Sequence, residues 1–482
     1  MKILIFGTGT YYLHYKKYTM GEEIVALVDN DTVKWGKKLD GHRIIAPSEI
    51  GNYEYDQIYL CSLLYTKEMK EQLLKLGIGE EKIRYVFELP ADRADPWRVY
   101  HAQRGEREQR IAVRESIAGA RETGTEKWTD GKERMAGERI VMISHDLTVT
   151  GAPNCLLYAA EIYVRQGYCL TVGAPEDGPM RECFLAAGAD VIIDERLRMG
   201  RLKDMEWAQG AGLLFVNTVQ LFYLLLERNL SVPVIWWLHE PQSLYHNVVP
   251  ERVCAIPTGH LKVVTVSGVA ERAFRAVCPS FPVKRLMFGL PDREIGNEKK
   301  RCCTFLLIGG VCALKGQDIL LNAVSDLTSE EVAVCEFWLV GEADTRYAAS
   351  LREISERLHL PVRFFGALPH EETLRMIQEA DVLVCASRQE TVSMVVIEAM
   401  MYGKPTVVSS GAGIAEYMRD GKDGLIFATE NAEELRKKLR YCLTHRDVLR
   451  EIGRRARGIY ERCFSMRQFE AGLAEIMDEM RE

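Results

Sequence analysis

The chain has 482 residues, of which 47% are hydrophobic and 27% are charged, a composition typical of globular proteins. This length exceeds what one ordinary hydrophobic core supports, so about three domains are expected. No apolar run approaches the roughly 20 residues that cross a bilayer, and a formal net charge of -7 argues against general nucleic-acid binding.

The cysteines and the first residues bear on the cellular compartment. The 13 cysteines are odd in number, and no two are spaced as Cys-x-x-Cys. Neither a disulfide framework nor a zinc site is therefore predicted. Because Gly7 interrupts the first apolar run and no cleavage site follows, we expect a strand there, not a signal peptide, and a cytoplasmic location.

Residues 1–95 have the pattern of a small nucleotide-binding unit. A strand over 2–6 leads into the tight turn Gly7-Thr8-Gly9, and a second strand over 24–28 ends at Asp29. An acidic residue about 20 positions after such a turn is where a dinucleotide fold holds a ribose. Gly7, Gly9 and Asp29 are therefore candidate nucleotide-binding residues, although Tyr12 occupies the place of the third glycine. With further strands over 57–61 and 83–87, the unit resembles the nucleotide-binding segments of polysaccharide-biosynthesis and sugar-acyltransferase proteins.

Tyr12 and Lys16 also spell Tyr-x-x-x-Lys, the catalytic pair of short-chain dehydrogenases. In that family the pair lies far downstream of the glycine turn. We therefore interpret both residues as one face of a helix over 11–18 and expect no oxidoreductase activity.

Residues 96–138 are rich in Arg, Glu and Gly, have few aliphatic residues and carry nearly balanced charge. This composition predicts a charged linker. Residues 107–120 are compatible with a helix that has a weak apolar stripe, but a solvated spacer is the preferred interpretation.

The alternation of strands and helices restarts at residue 140. Strands are predicted over 140–143, 169–172, 213–216, 234–238 and 263–266. Their spacing fits a doubly wound α/β sheet. The loop over 148–153 opens a helix that runs to residue 166, and the backbone N–H groups around Gly151 are a suitable place for a diphosphate.

Polar residues follow several of these strands, namely Asn217, His239, Glu240 and Ser267. Each alone is compatible with a structural role. As a set they are candidates for lining one crevice, because parallel strands end at the same edge of a sheet.

Residues 299–482 repeat the alternation, with a Gly309-Gly310 turn after the first strand and Lys315 at the start of the next helix. Further on, a helix over 394–401 is apolar all round, which is typical of a buried helix. Glu398 lies inside it, where a carboxylate is costly unless something hydrogen-bonds to it. Glu390 stands just before this helix, at the carboxyl end of a strand, where open parallel sheets bind ligands.

These features occur together in the stretch VLVCASRQETVSMVVIEAMMYGKPTVVSS, and SSGAGIAE follows its last strand. The combination resembles retaining glycosyltransferases of the large family four. SHDLTVTGAP and IWWLHE resemble the amino-terminal half of the same family. The resemblance implies a GT-B fold of two facing, Rossmann-like, doubly wound domains: an acceptor domain over 139–298 and a donor domain over 299–482 with a C-terminal crossover helix, preceded by the small α/β domain.

The resemblance also implies roles for single residues. Glu398 would hold the ribose hydroxyls of a nucleotide sugar, a sensible partner because a vicinal diol supplies two donors. Glu390 and His239 would lie against the transferred sugar as catalytic residues. The expected donor-binding residues are Gly151, Gly309, Gly310, Lys315, Arg388, Thr391, Val392, Ser393 and Glu398.

One position departs from the family's pattern. The family has an arginine just after the first glycine of the turn, and Gly310 stands there instead. Lys315 supplies one of the two expected contacts with the diphosphate. The second contact is therefore either absent or supplied from elsewhere, and Arg388 is the candidate.

The implied reaction is metal-independent, retaining transfer of a hexose from a UDP- or GDP-sugar to a glycan, lipid-linked or other cell-envelope acceptor. No cofactor is expected, and no metal either, because helix N-termini and Lys315 can balance the diphosphate and no Asp-x-Asp stands at a strand end. In the front-face mechanism usually proposed for such enzymes, the departing phosphate takes the acceptor proton. Peripheral contact with a membrane surface is a further expectation. The alternatives are a non-catalytic nucleotide-sugar scaffold or sensor, and a sugar phosphorylase of GT-B architecture.

Overall fold

The computed structural model describes residues 1–9, 12–13, 16–19, 21–62, 66–85, 97–102, 111–113, 139–198, 201–247, 250–293 and 302–481. It divides into two compact units. The first consists of Met1–Lys262 and Phe274–Phe281, and the second of Val263–Ala273 and Pro282–Glu482. The domain boundaries given above stay predictions.

The first unit opens with a six-stranded sheet in the order β3-β4-β2-β1-β5-β6. Its strands are β1 (Lys2–Phe6), β2 (Glu23–Val28), β3 (Lys38–Leu39), β4 (His42–Ile45), β5 (Gln57–Leu60) and β6 (Ile83–Tyr85), with a helix over Thr66–Lys75. β1 pairs in parallel with β2 and β5 and is buried on both faces, so alternate residues enter two separate cores. The helix predicted over 11–18 lies partly outside the described residues. In the part that is described, Lys16–Thr19 form a 3-10 helix.

Seven strands of a second sheet lie in the first unit, in the order β13-β12-β9-β10-β11-β7-β8. They are β7 (Arg98–Tyr100), β8 (Ile111–Val113), β9 (Arg139–Ile143), β10 (Cys169–Ala174), β11 (Asp190–Ile193), β12 (Leu213–Asn217) and β13 (Val234–Leu238). The α-helices are Gly151–Arg165, Met180–Ala186 and Pro250–Cys254. The strand order reverses between β9 and β12, which places Ser144 and Asn217 at neighbouring carboxyl ends.

The predicted linker differs from the structure in two places. β7 pairs antiparallel with β11, and β8 pairs antiparallel with β7. Residues 111–113 therefore form neither the possible helix nor a solvated spacer. Trp97 and Val99 are buried, so the β-prone run Trp-Arg-Val-Tyr outweighs the polar composition around it. The rest of the 103–138 stretch lies outside the described residues.

In the second unit, β14 (Leu261–Thr265) and β15 (Val283–Arg285) pair in parallel, with the helix Gly268–Val277 between them in sequence. Six further strands form an all-parallel sheet in the order β18-β17-β16-β19-β20-β21. They are β16 (Cys303–Ile308), β17 (Cys335–Val340), β18 (Val362–Gly366), β19 (Val382–Cys385), β20 (Thr406–Ser409) and β21 (Leu425–Phe427). This is the doubly wound order, and it reverses between β16 and β19.

Along the chain, the other α-helices of the second unit lie between these strands or after the last of them. They are Gln317–Ser325, Ser329–Val332, Arg346–Arg357, His370–Glu379, Met394–Met401, Ala432–Thr444, Arg446–Ile459 and Met466–Arg481. The last helix is tied to β15, because Lys284 Nζ donates to Glu475 at 2.7 Å and to Glu479 at 2.6 Å. The predicted crossover helix therefore contacts a strand that the sequence analysis assigned to the acceptor half.

Candidate active site

The donor-half candidates lie where the strand order of the second unit reverses. Lys315 follows β16, and Glu390 follows β19. Lys315 Nζ donates to Glu390 Oε1 at 2.9 Å across 75 positions of sequence. Parallel sheets bind ligands outside the carboxyl ends of their strands at such a reversal. The fold therefore brings two sequence-predicted residues into direct contact at the expected place.

The Lys315–Glu390 pair is electrostatically well defined. Burial by itself would lower the pKa of Lys315, but the charge and hydrogen bond of Glu390 raise that pKa above its ordinary value. Ser387 Oγ donates to the other carboxylate oxygen of Glu390 at 2.7 Å. Lys315 is therefore an ammonium at neutral pH, and Glu390 is held at both of its oxygens.

Two glycines allow the Lys315 loop to lie this close to the sheet. Gly309 has φ of 149°, and a Cβ there would stand 3.3 Å from Cδ of Lys315. Gly316 has φ of 69°, and a Cβ there would be 2.1 Å from the carbonyl oxygen of Ala386. A side chain at residue 316 would therefore collide with the end of β19.

Gly310 stands in open space, because a Cβ built on it meets no atom within 4 Å. Its carbonyl accepts a hydrogen bond from Nε2 of Gln317 at 3.1 Å. The Oε1 atom of Gln317 is buried without a partner. The loop is thus fixed by its backbone, and it offers one cation, Lys315, where the family's pattern has two.

Arg388 is engaged by the protein itself. Its Nη1 and Nη2 donate to the two oxygens of Asp318 at 3.0 and 2.7 Å, and its Nε donates to Glu430 at 2.7 Å. Nη1 also donates to the carbonyl of Ala313. A bidentate arginine–carboxylate pair is a strong, directional contact. Arg388 therefore clamps the Lys315 loop, and contact with a diphosphate would require these bonds to be released.

Glu398 is 5% exposed and lies in the middle of the helix Met394–Met401. His370 Nε2 lies 2.7 Å from Glu398 Oε1 and donates to it, since a carboxylate only accepts. The hydrogen bond that His370 donates to Glu398 raises the pKa of His370. The sequence analysis missed His370. Its only sequence signal is its position at the first residue of a helix, which many unrelated residues share.

Thr391, Val392 and Ser393 connect Glu390 to this helix. Ser393 is its N-cap residue and is buried, but its side chain makes no capping hydrogen bond. The first N–H groups of a helix have no partner within the helix and favour an anion. The predicted donor-binding residues after β19 therefore surround a helix start that an anionic ligand can complete.

The first unit carries a second polar cluster at the carboxyl ends of β9, β12 and β13. The ring atom Nε2 of His239 is buried, and burial together with the neighbouring His145 lowers the pKa of His239 to about 3. Glu240 accepts from the backbone N–H groups of His239 and Val219 at 2.9 and 3.0 Å. Burial raises the pKa of Glu240 to about 7. His239 is therefore neutral at every working pH.

Several side-chain atoms of this cluster are buried without a hydrogen-bond partner. They are Ser144 Oγ, His145 Nδ1, Asn217 Oδ1 and His239 Nε2. Buried polar atoms are rarely left unpaired in folded proteins, so such a set indicates a place for water or a ligand. Gly151 lies nearby in sequence at the start of the helix Gly151–Arg165, whose N-cap Thr150 makes no side-chain capping bond.

Family models match the two segments that hold these clusters. Residues 302–445 match the model described as "Glycosyl transferases group 1", and residues 136–278 match "Glycosyl-transferase family 4". Residues 136–445 therefore resemble both halves of a glycosyltransferase of these families.

Curated relatives of this glycosyltransferase agree with the family models. An uncharacterized glycosyltransferase of Methanocaldococcus jannaschii is 23% identical over 269 residues, which are 54% of this chain and 72% of the relative. Spore coat protein SA of Bacillus subtilis is 25% identical over 39% of this chain and 51% of its own length. The sulfoquinovosyl transferase SQD2 of Arabidopsis thaliana is 35% identical over 31% of this chain and 28% of its own length. The chain thus spans about half of spore coat protein SA and 28% of SQD2.

Solved structures establish the fold of the glycosyltransferase as GT-B. HepE of Anabaena in complex with UDP-glucose has a TM-score of 0.61 at 19% identity. The match covers 71% of this chain and 99% of the HepE chain. Sucrose-phosphate synthase from Thermosynechococcus elongatus has a TM-score of 0.59 at 16% identity, with 71% and 98% covered. The predicted fold class is confirmed.

The small unit that precedes the glycosyltransferase matches a model described as "C2185-like, N-terminal" over residues 1–84. Its Asp29 is already satisfied: the carboxylate accepts from Thr8 N at 3.0 Å, from Asp31 N at 2.9 Å and from Lys34 Nζ at 3.0 Å. A Cβ on Gly7 would stand 2.6 Å from the carbonyl oxygen of Cys61. Asp29 and Gly7 therefore have structural roles. A Cβ built on Gly9 would meet no atom within 4 Å.

The described residues also bear on metal binding and on membrane insertion. Across the described ranges, no group of three or more His, Cys, Asp or Glu side chains is arranged to hold a metal ion. None of the helices within those ranges is both long and apolar enough to span a bilayer.

Proposed function

We propose that the chain is a retaining glycosyltransferase that moves a hexose from a UDP- or GDP-sugar to a glycan, lipid-linked or other cell-envelope acceptor. The observation that carries the proposal is the 2.9 Å Lys315–Glu390 pair at the reversal of strand order, with the buried Glu398 on the helix that follows. Lys315 matches the diphosphate of such a donor, and Glu390 matches the sugar. The buried Glu398 matches the ribose.

Donor binding would change the partner of Lys315. The diphosphate is the stronger anion, so Lys315 would turn part of its hydrogen bonding from Glu390 to a phosphate oxygen. Glu390, still held by Ser387 at 2.7 Å, would then accept hydrogen bonds from the hydroxyls of the sugar. The uncapped helix start after Ser393 would add N–H donors to the phosphates.

Glu398 would accept both hydroxyls of the ribose. His370 occupies only one lone pair of Oε1, at 2.7 Å, and leaves the rest of the carboxylate for a diol. The nucleotide would thus be bound at both ends, by Lys315 at the diphosphate and by Glu398 at the ribose.

The polar cluster of the first unit would take hydroxyl groups. His239 is neutral, and Asn217 Nδ2 already donates to the carbonyl of Ala152 at 3.0 Å, which leaves Asn217 Oδ1 as an acceptor. An uncharged set of acceptors matches sugar hydroxyls better than it matches a phosphate. This supports a hydroxylated acceptor or the transferred sugar itself as the ligand of the cluster.

In the proposed reaction, the bond between the anomeric carbon and the phosphate oxygen breaks while the acceptor oxygen bonds to the same face of that carbon. The proton of the acceptor hydroxyl passes to the departing phosphate oxygen. Lys315 and the helix start stabilise the charge that develops on the phosphate, which makes a metal ion unnecessary. No separate base is required.

The relatives support the donor class and the setting. HepE binds UDP and UDP-glucose, and SQD2 is named a sulfoquinovosyl transferase. A cytoplasmic enzyme with peripheral contact to a membrane would meet both soluble nucleotide sugars and lipid-linked acceptors.

The test is a screen of UDP- and GDP-sugars by thermal unfolding, followed by assay of nucleotide release. A donor at about 100 times its dissociation constant adds roughly 2.7 kcal/mol to the free energy of unfolding. Stabilisation with nucleotide release in the presence of glycan or lipid acceptors supports the proposal. Stabilisation without release under any acceptor supports the rival, a nucleotide-sugar sensor, which the open Gly310 position favours. Release that requires orthophosphate would indicate a phosphorylase.

A further inference from the structure

Two cysteines of the first unit face each other. Cys254 ends the helix Pro250–Cys254 and is exposed, whereas Cys278 is buried. Their Sγ atoms are 2.7 Å apart, although the residues are 24 positions apart in sequence. Both are free thiols. The fold, not the sequence spacing, creates this pair.

We propose that Cys254 and Cys278 form a redox-active thiol pair that closes to a disulfide by exchange with a small disulfide such as glutathione disulfide. This modification site is independent of glycosyl transfer. It would tie the helix Pro250–Cys254 to the residue that follows the helix Gly268–Val277.

The order of the exchange follows from exposure. The Cys254 thiolate attacks one sulfur of glutathione disulfide, and one glutathione thiolate leaves. Cys278 then loses its proton to solvent and attacks Cys254 Sγ, which expels the second glutathione. Two protein thiols are oxidised, and one glutathione disulfide is reduced to two glutathione thiols.

The two thiols differ in a way that fits this order. Burial, together with the adjacent Cys254, raises the pKa of Cys278 well above the ordinary value of a thiol. Cys278 is therefore a poor first nucleophile, since the thiolate is the reactive form. A 2.7 Å approach to Cys254 makes its second step intramolecular and fast.

The experiment treats the folded full-length chain with glutathione disulfide, blocks free thiols with iodoacetamide and maps tryptic peptides without reduction. Cys254 lies in the tryptic peptide 253–262, and Cys278 lies in the peptide 276–284. We expect these two peptides to be recovered joined, with the loss of two hydrogens. Cys183 and Cys312 are exposed as well and serve as internal controls, where we expect mixed disulfides with glutathione.

A folded protein in which Cys254 carries glutathione while Cys278 is alkylated would overturn the proposal. A Cys254→Ser variant tests the order of attack: Cys278 should stay a free thiol, and its glutathionylation in the folded variant would contradict the entry role of Cys254. The same treatment in urea should lose the selectivity. If the joined peptides form equally well in urea, the fold does not create the pair and the proposal is wrong.

Discussion

Replacing Glu398 with Gln tests the ribose site most directly. The side chain keeps its shape and can still accept from His370, so the helix Met394–Met401 should remain folded around it. Two hydrogen bonds from the ribose would change from charge-assisted to neutral. A bond to a charged group contributes about 1.5 to 3 kcal/mol and a neutral one about 1 kcal/mol, so the loss over two bonds is roughly 1 to 4 kcal/mol. The dissociation constant should therefore rise about 5- to 700-fold.

Isothermal titration of the wild type and the variant with the nucleoside diphosphate measures this change. Glu371→Gln is the matched control, because Glu371 neighbours His370 in the same helix but is exposed and pairs with Arg293 at 2.8 Å. The control should bind like the wild type. Equal affinity in Glu398→Gln and the wild type, or an equal loss in Glu371→Gln, would refute the ribose assignment.

Four further predictions concern single side chains. The His370–Glu398 pair should contribute fully to the free energy of unfolding below about pH 6.5, and this contribution should disappear as pH rises through the raised folded-state pKa of His370. Urea unfolding of the wild type and of His370→Asn across that pH window measures the contribution. A difference between the two proteins that does not depend on pH would contradict the prediction. Lys315→Ala should lower kcat/KM about 10- to 150-fold, the loss of one charge-assisted bond, and steady-state kinetics with an unchanged value would remove Lys315 from the site. Arg388→Ala should lower the melting temperature, because it breaks the bidentate bond to the helix Gln317–Ser325; an unchanged melting temperature with weaker donor binding would instead support the predicted diphosphate role. His239→Ala should lower kcat more than it weakens donor binding, whereas a lower melting temperature with normal kcat in the folded fraction would indicate a structural histidine.

Much of the second unit could be predicted from the sequence, because its signals are local. The helix Met394–Met401 has the predicted bounds: its residues are apolar all round, and Gly403 with φ of 64° follows it. In the first unit, β1 and β13 match the predicted bounds, and the other predicted strands differ by one or two residues at an end. Buried parallel strands read as continuous apolar runs, so they are visible without an alignment.

What the sequence could not show depends on partners distant along the chain. Asp29 follows a strand as a ribose ligand should, but only the structure shows that Thr8 and Lys34 already satisfy it. Arg388 has the right charge for a diphosphate, but its bond to Asp318 spans 70 positions. β7 was missed because the composition of the whole 96–138 stretch was averaged, which hid a short apolar run beside charged residues.

The strand order of the second unit also has consequences for how the protein reaches its native state. β16 lies in the middle of its sheet, and its partner β19 begins at Val382, after two intervening strands and their helices. Folding must therefore close a long loop before one side of β16 is covered, and such non-local pairing slows folding. Until β19 arrives, β16 presents an apolar edge of unpaired backbone groups, which is a template for association with another chain. We expect refolding at high protein concentration to be limited by this intermediate, so that the yield of native protein falls as the chain concentration rises.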